Sequence, residues 1–136
     1  MEKDNFIFDE GENYHEVYMV QKGTVSYVLP QYNNSIYVNV RNGDAFGVSD
    51  IMGCTQGDWF DHRQELKRLF TAQAHDMTEL HVMHLDILHE MYSLFEDEYE
   101  KWIDFKTGHF KALTITKMKA IKKCAKLQNK LIKTKQ

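Results

Sequence analysis

The stretch FIFDEGENYHEVYMVQKGTVSYVL, residues 6–29, decides the fold. Its second half, residues 17–29, places β-branched and aromatic side chains on both sides of Lys22-Gly23. That pattern predicts two strands joined by a tight turn, because glycine takes a positive φ at no steric cost. Working outward, PQYNNS (residues 30–35) is a second turn. SIYVNV (residues 35–40) alternates as a third strand, and Asn42-Gly43-Asp44 turns the chain again. Residues 45–57 show turn-type side chains without a period. DWFDHRQELKRL (residues 58–69) predicts a short helix, with Asp58 as its cap and Trp59, Arg63 and Leu66 on one face.

Residues 70–74 and 79–83 return to strand character. From Asp86 the period becomes helical, through Ile87, Leu88, Met91, Leu94 and Phe95. The acidic run at 96–100 is a break or a second helix start. Tyr99, Trp102, Ile103, Phe105 and Phe110 extend the apolar face, and Thr107-Gly108 is expected to loosen it, at about 1 kcal/mol relative to alanine. In the tail, KMKAIKKCAKLQNKLIKTKQ (residues 117–136), Met118, Ile121, Ala125, Gln128 and Ile132 form a thin stripe. That stripe suits packing on the body or a coiled coil of barely two heptads. Strands followed by helices argue for an α+β chain, mainly β: an antiparallel, jelly-roll-like β-roll with a short inserted helix and C-terminal helices. Residues 1–112 are expected to form this domain, and residues 113–136 a basic amphipathic helix or tail.

The 136 residues, 43% of them hydrophobic, suffice for one packed core. The acidic, polar opening does not read as a signal peptide, and no apolar run approaches the ~20 residues that span a bilayer. Cys54 and Cys124 are too few for a tetrahedral zinc site and form no redox motif. A cytoplasmic setting is the simplest expectation. The net charge of −3 hides an asymmetry. Residues 101–136 carry eleven lysines and one acid, Asp104, for a net +10; the first hundred residues carry six basic and nineteen acidic groups, for −13. An acidic body with a basic tail fits an anionic membrane, non-specific contact with nucleic acid, an acidic protein surface or the chain's own body as the tail's partner, and equally a solvated helix face.

Three pieces in order resemble the cyclic-nucleotide-binding domain family: Gly11, the strand at residues 17–20 and Gly23; then NGDAFG (residues 42–47); then RLFTAQA (residues 68–74) followed by ELHVMHLDIL (residues 79–88). NGDAFG resembles the start of the family's phosphate-binding cassette, and Arg68 stands at its phosphate-binding arginine. The resemblance covers roughly residues 6–102. It implies a ligand site at Gly47, Val48, Ser49, Arg68, Leu69 and Phe70, with cAMP or cGMP as ligand and no other cofactor. Within the family, ELHVMHLDIL and the acidic, aromatic helix after it most resemble the domains of voltage-gated potassium and cyclic-nucleotide-gated channels. That implies a regulatory domain on the cytosolic side of a membrane, in which cassette contacts move C-terminal helices. Kinase regulatory subunits carry the same roll, so a regulatory-subunit-type cAMP sensor is an alternative.

A cyclic phosphate is a monoanion, and an arginine fork with backbone N–H groups suits it. The sequence meets this list in part. Val48 replaces the family's glutamate and accepts no hydrogen bond from a ribose hydroxyl, a cost of about 1–3 kcal/mol if that hydroxyl is buried. Leu69 and Phe70 replace smaller residues, and an inward Phe70 crowds the pocket. The interval from Val48 to Arg68 is long and adds Asp58, Asp61 and Glu65, which disfavour an anion. Two readings stay open: a divergent working pocket, or a degenerate roll that binds no nucleotide and acts in protein interaction and assembly. For Arg68 the plain alternative is a surface salt bridge to Glu65 or Asp61.

Other chemistries lack support. A cupin-type metal site needs a His-x-His pair, which is missing; His81 and His84 are three apart on a strand and face opposite sides. No Gly-x-Ser-x-Gly elbow exists, and Ser49-Asp50 reads as well as a helix cap. The lysine-rich tail has no arginine for guanine readout and no turn between two helices, so sequence-specific nucleic-acid binding is not expected. An enzyme is not expected.

Overall fold

The computed structural model describes residues 1–13, 15–47 and 66–135. The two strands around Lys22-Gly23 stand at its centre. Strands β2 (Glu16–Lys22) and β3 (Thr24–Leu29) meet at Gly23, which has φ +98°. A β-carbon there would lie 2.6 Å from the Met77 carbonyl oxygen. Both the turn and this close approach therefore require glycine.

Two antiparallel sheets form the roll. One runs β1 (Phe6–Phe8), β6 (Thr71–Ala74), β3, β4 (Ser35–Arg41); the other runs β5 (Ala45–Phe46), β2, β7 (Glu79–His84). The two strands joined at Gly23 thus belong to different sheets and do not pair with each other. β3 pairs with β6 and β4, whereas β2 pairs with β7 and β5. Between β3 and β4 the chain makes a 3-10 turn at Pro30–Tyr32, then places Asn33 and Asn34 in the left-handed region. Asparagine tolerates that region better than other residues with a β-carbon.

Side chains from both sheets fill one core: Phe8, Tyr18, Val20, Val25, Tyr27, Val40, Phe46, Phe70, Ala72 and Leu113. Phe8, Tyr18 and Phe46 stack with ring centroids 5.1–6.2 Å apart. The Tyr18 hydroxyl donates a 2.6 Å hydrogen bond to the Glu16 carboxylate. Burial, reinforced by this carboxylate, pushes the Tyr18 phenol far above its ordinary value.

Helix α1 (Leu85–Ser93) follows β7 directly, with Asp86 in its first turn, where an acid complements the helix dipole. Leu85 and Leu88 are buried, but Ile87, Leu94 and Phe95 are exposed. The face predicted to run on to Phe95 therefore ends sooner, because the chain breaks between α1 and α2 (Glu96–Lys135). The side chains of Tyr99, Trp102, Ile103, Phe105 and Phe110 are outside the described set. The backbone of α2 is helical throughout its 40 residues, straight through Thr107-Gly108. One glycine costs too little to interrupt so long a hydrogen-bonded run.

Two sequence expectations need correction. Residues 66–69, assigned to the inserted helix, are extended: Lys67 forms an isolated bridge with Asn13. The remainder of that expected helix, residues 58–65, lies outside the described residues. The tail's docked face is also different. Leu113 is buried and Lys117, Ala120, Ile121, Cys124 and Ala125 are half-buried, so two residues of the expected stripe do face inward; Met118, Gln128 and Ile132 are exposed. A lysine joins the inward face because its stem packs while its ammonium finds polar partners.

Gly23→Ala is expected to destabilise the domain by about 2 kcal/mol, from the left-handed backbone and the Met77 contact together; an unchanged urea midpoint would contradict this. Tyr18 supplies a pH test. Its phenol ionises near pH 10 in the unfolded chain but resists ionisation when folded. Stability should therefore fall as pH rises above about 10, because the unfolded state then releases a proton that the folded state retains. Tyr18→Phe should flatten that alkaline fall in denaturant midpoints measured from pH 8 to 11.

Candidate functional site

Gly47 directly follows β5 with φ +75°. Its N–H donates to the Tyr27 hydroxyl at 3.1 Å. Its carbonyl accepts from Arg68 Nη1 at 2.8 Å. A β-carbon on Gly47 would sit 2.8 Å from that same Nη1, so glycine is what lets the guanidinium close on the backbone.

Arg68 arrives from the far side of the roll, and its main chain is held before its side chain is. The Arg68 N–H donates to the Glu12 carbonyl at 2.8 Å, and the Gly11 N–H donates to the Arg68 carbonyl at 2.7 Å. Gly11, Glu12 and the Asn13–Lys67 bridge therefore fix where the arginine starts. Its second nitrogen, Nη2, donates to the Glu16 carbonyl at 2.5 Å. Its Cζ stacks 3.9 Å from the centroid of Phe8 and lies 5.6 Å from that of Tyr18. Arg68 is 2% exposed. The guanidinium is therefore not at the surface but inside the roll, where a charge is tolerated only with partners around it; Asp61 and Glu65, the partners of the alternative salt bridge, lie outside the described residues.

The residues after Arg68 turn toward α2. The Leu69 carbonyl accepts from Lys117 Nζ at 2.9 Å. The Phe70 ring is 2% exposed and tilts against Tyr27 at 5.7 Å, with Lys117 Nζ 5.4 Å from its centroid. The same ammonium pairs with the Glu10 carboxylate. The Glu10 N–H in turn bonds Thr71 Oγ1 at 3.1 Å. One lysine therefore ties the helix to β6 and to the loop after β1.

Of the six residues expected at the ligand site, Gly47 and Arg68 touch. Leu69 and Phe70 sit at the helix junction, Phe70 inside the core, and Val48 and Ser49 lie outside the described residues. Sequence reasoning missed Glu10, Glu16, Phe8 and Lys117. Lys117 looked like one tail lysine among eleven, and its partner Glu10 is 107 residues away. Among the described residues no cluster of His, Cys, Asp or Glu suits a metal ion. His81 and His84 are both exposed, and the His84 ring nitrogen lies 3.6 Å from Asp86. Among those residues, too, no helix is long and apolar enough to cross a membrane.

No protein-family profile and no curated protein sequence matches the chain. Solved structures do match in shape. The EAL enzyme Bd1971 in its cAMP-bound form superposes with TM-score 0.60 at 18% identity, over 98% of this chain and 32% of that one. FixK2 from Bradyrhizobium japonicum gives 0.57 at 22% identity, over 80% of this chain and 48% of that one. The cAMP-bound PfPKA-R gives 0.57 at 14% identity, over 84% of this chain and 36% of that one. The chain thus spans between a third and a half of these structures' lengths. The antiparallel roll with its C-terminal helix has the fold of a cyclic-nucleotide-binding domain.

Proposed function

We propose that this domain is a regulatory module in which the state of Arg68 sets the position of α2. The observation that carries the reading is the distance along the chain between two anchors. Arg68 holds Gly47 and Glu16; one and two residues later, Leu69 and Phe70 meet Lys117 of the helix. A shift of the arginine is passed on through one short extended segment. The output is a change in the population of helix positions, with no bond made or broken.

The ligand in this reading is cAMP or cGMP. Its phosphate competes with the two carbonyls for the guanidinium, and the exchange favours the phosphate because it brings a full negative charge to the same fork. The cAMP-bound relatives in fold support this choice of ligand. The internal bonds of Arg68 favour a second reading. With Nη1 and Nη2 already donating to Gly47 and Glu16, and with Val48 at the family's glutamate position, the roll holds itself closed and acts through contacts alone. For the parent protein, the resemblance of residues 79–88 supports a channel, whereas the likeness to PfPKA-R in fold supports a regulatory subunit equally well.

Calorimetry with each nucleotide distinguishes the readings. The ligand reading expects saturable micromolar binding, weakened roughly 10- to 100-fold in Arg68→Gln by loss of charge-assisted hydrogen bonds. Lys117→Gln, which leaves Arg68 in place, should still bind while a fluorophore on α2 reports a smaller response. Absence of heat at millimolar nucleotide would overturn the ligand reading and leave the self-closed module.

A further inference from the structure

The lysines of α2 are arranged in relation to its docked face. Leu113, Lys117, Ala120 and Cys124 are spaced four, three and four, and they face the roll; Cys124 Sγ lies 3.7 Å from Ser35 Oγ at the start of β4. At 100° per residue, Ile115, Met118, Lys119, Lys122 and Lys126 fall on the opposite side of the helix. All five are exposed, Ile115 at 55% and Met118 at 64%. Beyond Ala125 every described side chain is exposed, and the line of the docked face continues as Leu127 at 54% and Leu131 at 63%. No acid occurs after Asp104. The helix therefore lies along the roll with a cationic outer face interspersed with large apolar side chains.

We propose that this outer face and the exposed last turns of α2 lie on an anionic lipid surface. Charge complementarity selects an anion, because lysines line the face with no acid among them. The apolar residues select lipid over nucleic acid: Ile115, Met118, Leu127 and Leu131 gain by entering the acyl boundary, while the lysine stems snorkel to the headgroups. A second copy of the helix is a poor occupant. Only Leu127 and Leu131 of the seam are free, far short of a coiled coil, and pairing would set lysine-rich helices side by side. With no arginine after Arg68, the contacts are diffuse point charges, suited to a fluid headgroup layer. The proposal stands apart from nucleotide binding, since none of these residues touches Arg68, Gly47 or Phe70.

Co-sedimentation of the full chain with vesicles tests it. At low ionic strength the chain should partition onto vesicles of three parts phosphatidylcholine to one part phosphatidylserine, and not onto phosphatidylcholine alone. Binding should weaken steeply with added salt. Replacing Lys119, Lys122, Lys123 and Lys126 with glutamine should cut partitioning by at least 100-fold, from about fivefold per lysine. Leu131→Ser should reduce it severalfold. Both changes lie on exposed positions, so helix content by circular dichroism should be unchanged. No partitioning onto phosphatidylserine vesicles, equal binding by the four-lysine variant, or tighter binding to a duplex oligonucleotide than to the vesicles would each overturn the proposal.

Discussion

The guanidinium of Arg68 is the interaction on which the rest of this roll depends. It sits between the carbonyls of Gly47 and Glu16 and over the face of Phe8, and so joins β5, β2 and β1 at one point. A buried cation is costly unless its donors are used, and a buried carbonyl is costly unless it accepts. The arrangement answers both demands with the same bonds. It also explains the glycine just after β5: a β-carbon there would crowd Nη1 at 2.8 Å.

From this point the structure extends in one direction, into α2. Leu69 and Phe70 are not free to follow their own packing, because the Lys117 ammonium bonds the carbonyl of one and faces the ring of the other. Leu113, one turn earlier, enters the aromatic core itself. Among the described side chains, Leu113, Lys117 and the Cys124–Ser35 contact seat α2 on the roll, while its outward lysines are exposed.

The strands β2 and β3 and the turn between them were legible because their signals are local: β-branched residues flank a glycine, and a turn needs nothing further. The start of α1 was legible for a similar reason, since Asp86 and the leucine period stand side by side. Residues 66–69 misled because helical spacing is also local, whereas their actual conformation is set across the chain by Gly11, Glu12 and Asn13. The docked face of α2 misled for a related reason. A hydrophobicity stripe nominates Met118 and Ile132, but the roll selects the face that offers Leu113 and a lysine able to reach Glu10. At the site, Gly47 and Arg68 were legible through their motifs, whereas the carbonyl of Glu16 has no side-chain signature that a sequence can show.

The central claim is that Arg68 and α2 move together. Spin labels at two exposed positions, Met77 on the turn before β7 and Leu131 near the end of α2, report that coupling as a distance distribution. The account predicts one narrow distribution in the parent chain, and a broadened or shifted one in both Arg68→Gln and Lys117→Gln, with the double variant no different from either single one. A distribution unchanged in Arg68→Gln, in a chain that still folds by circular dichroism, would contradict it.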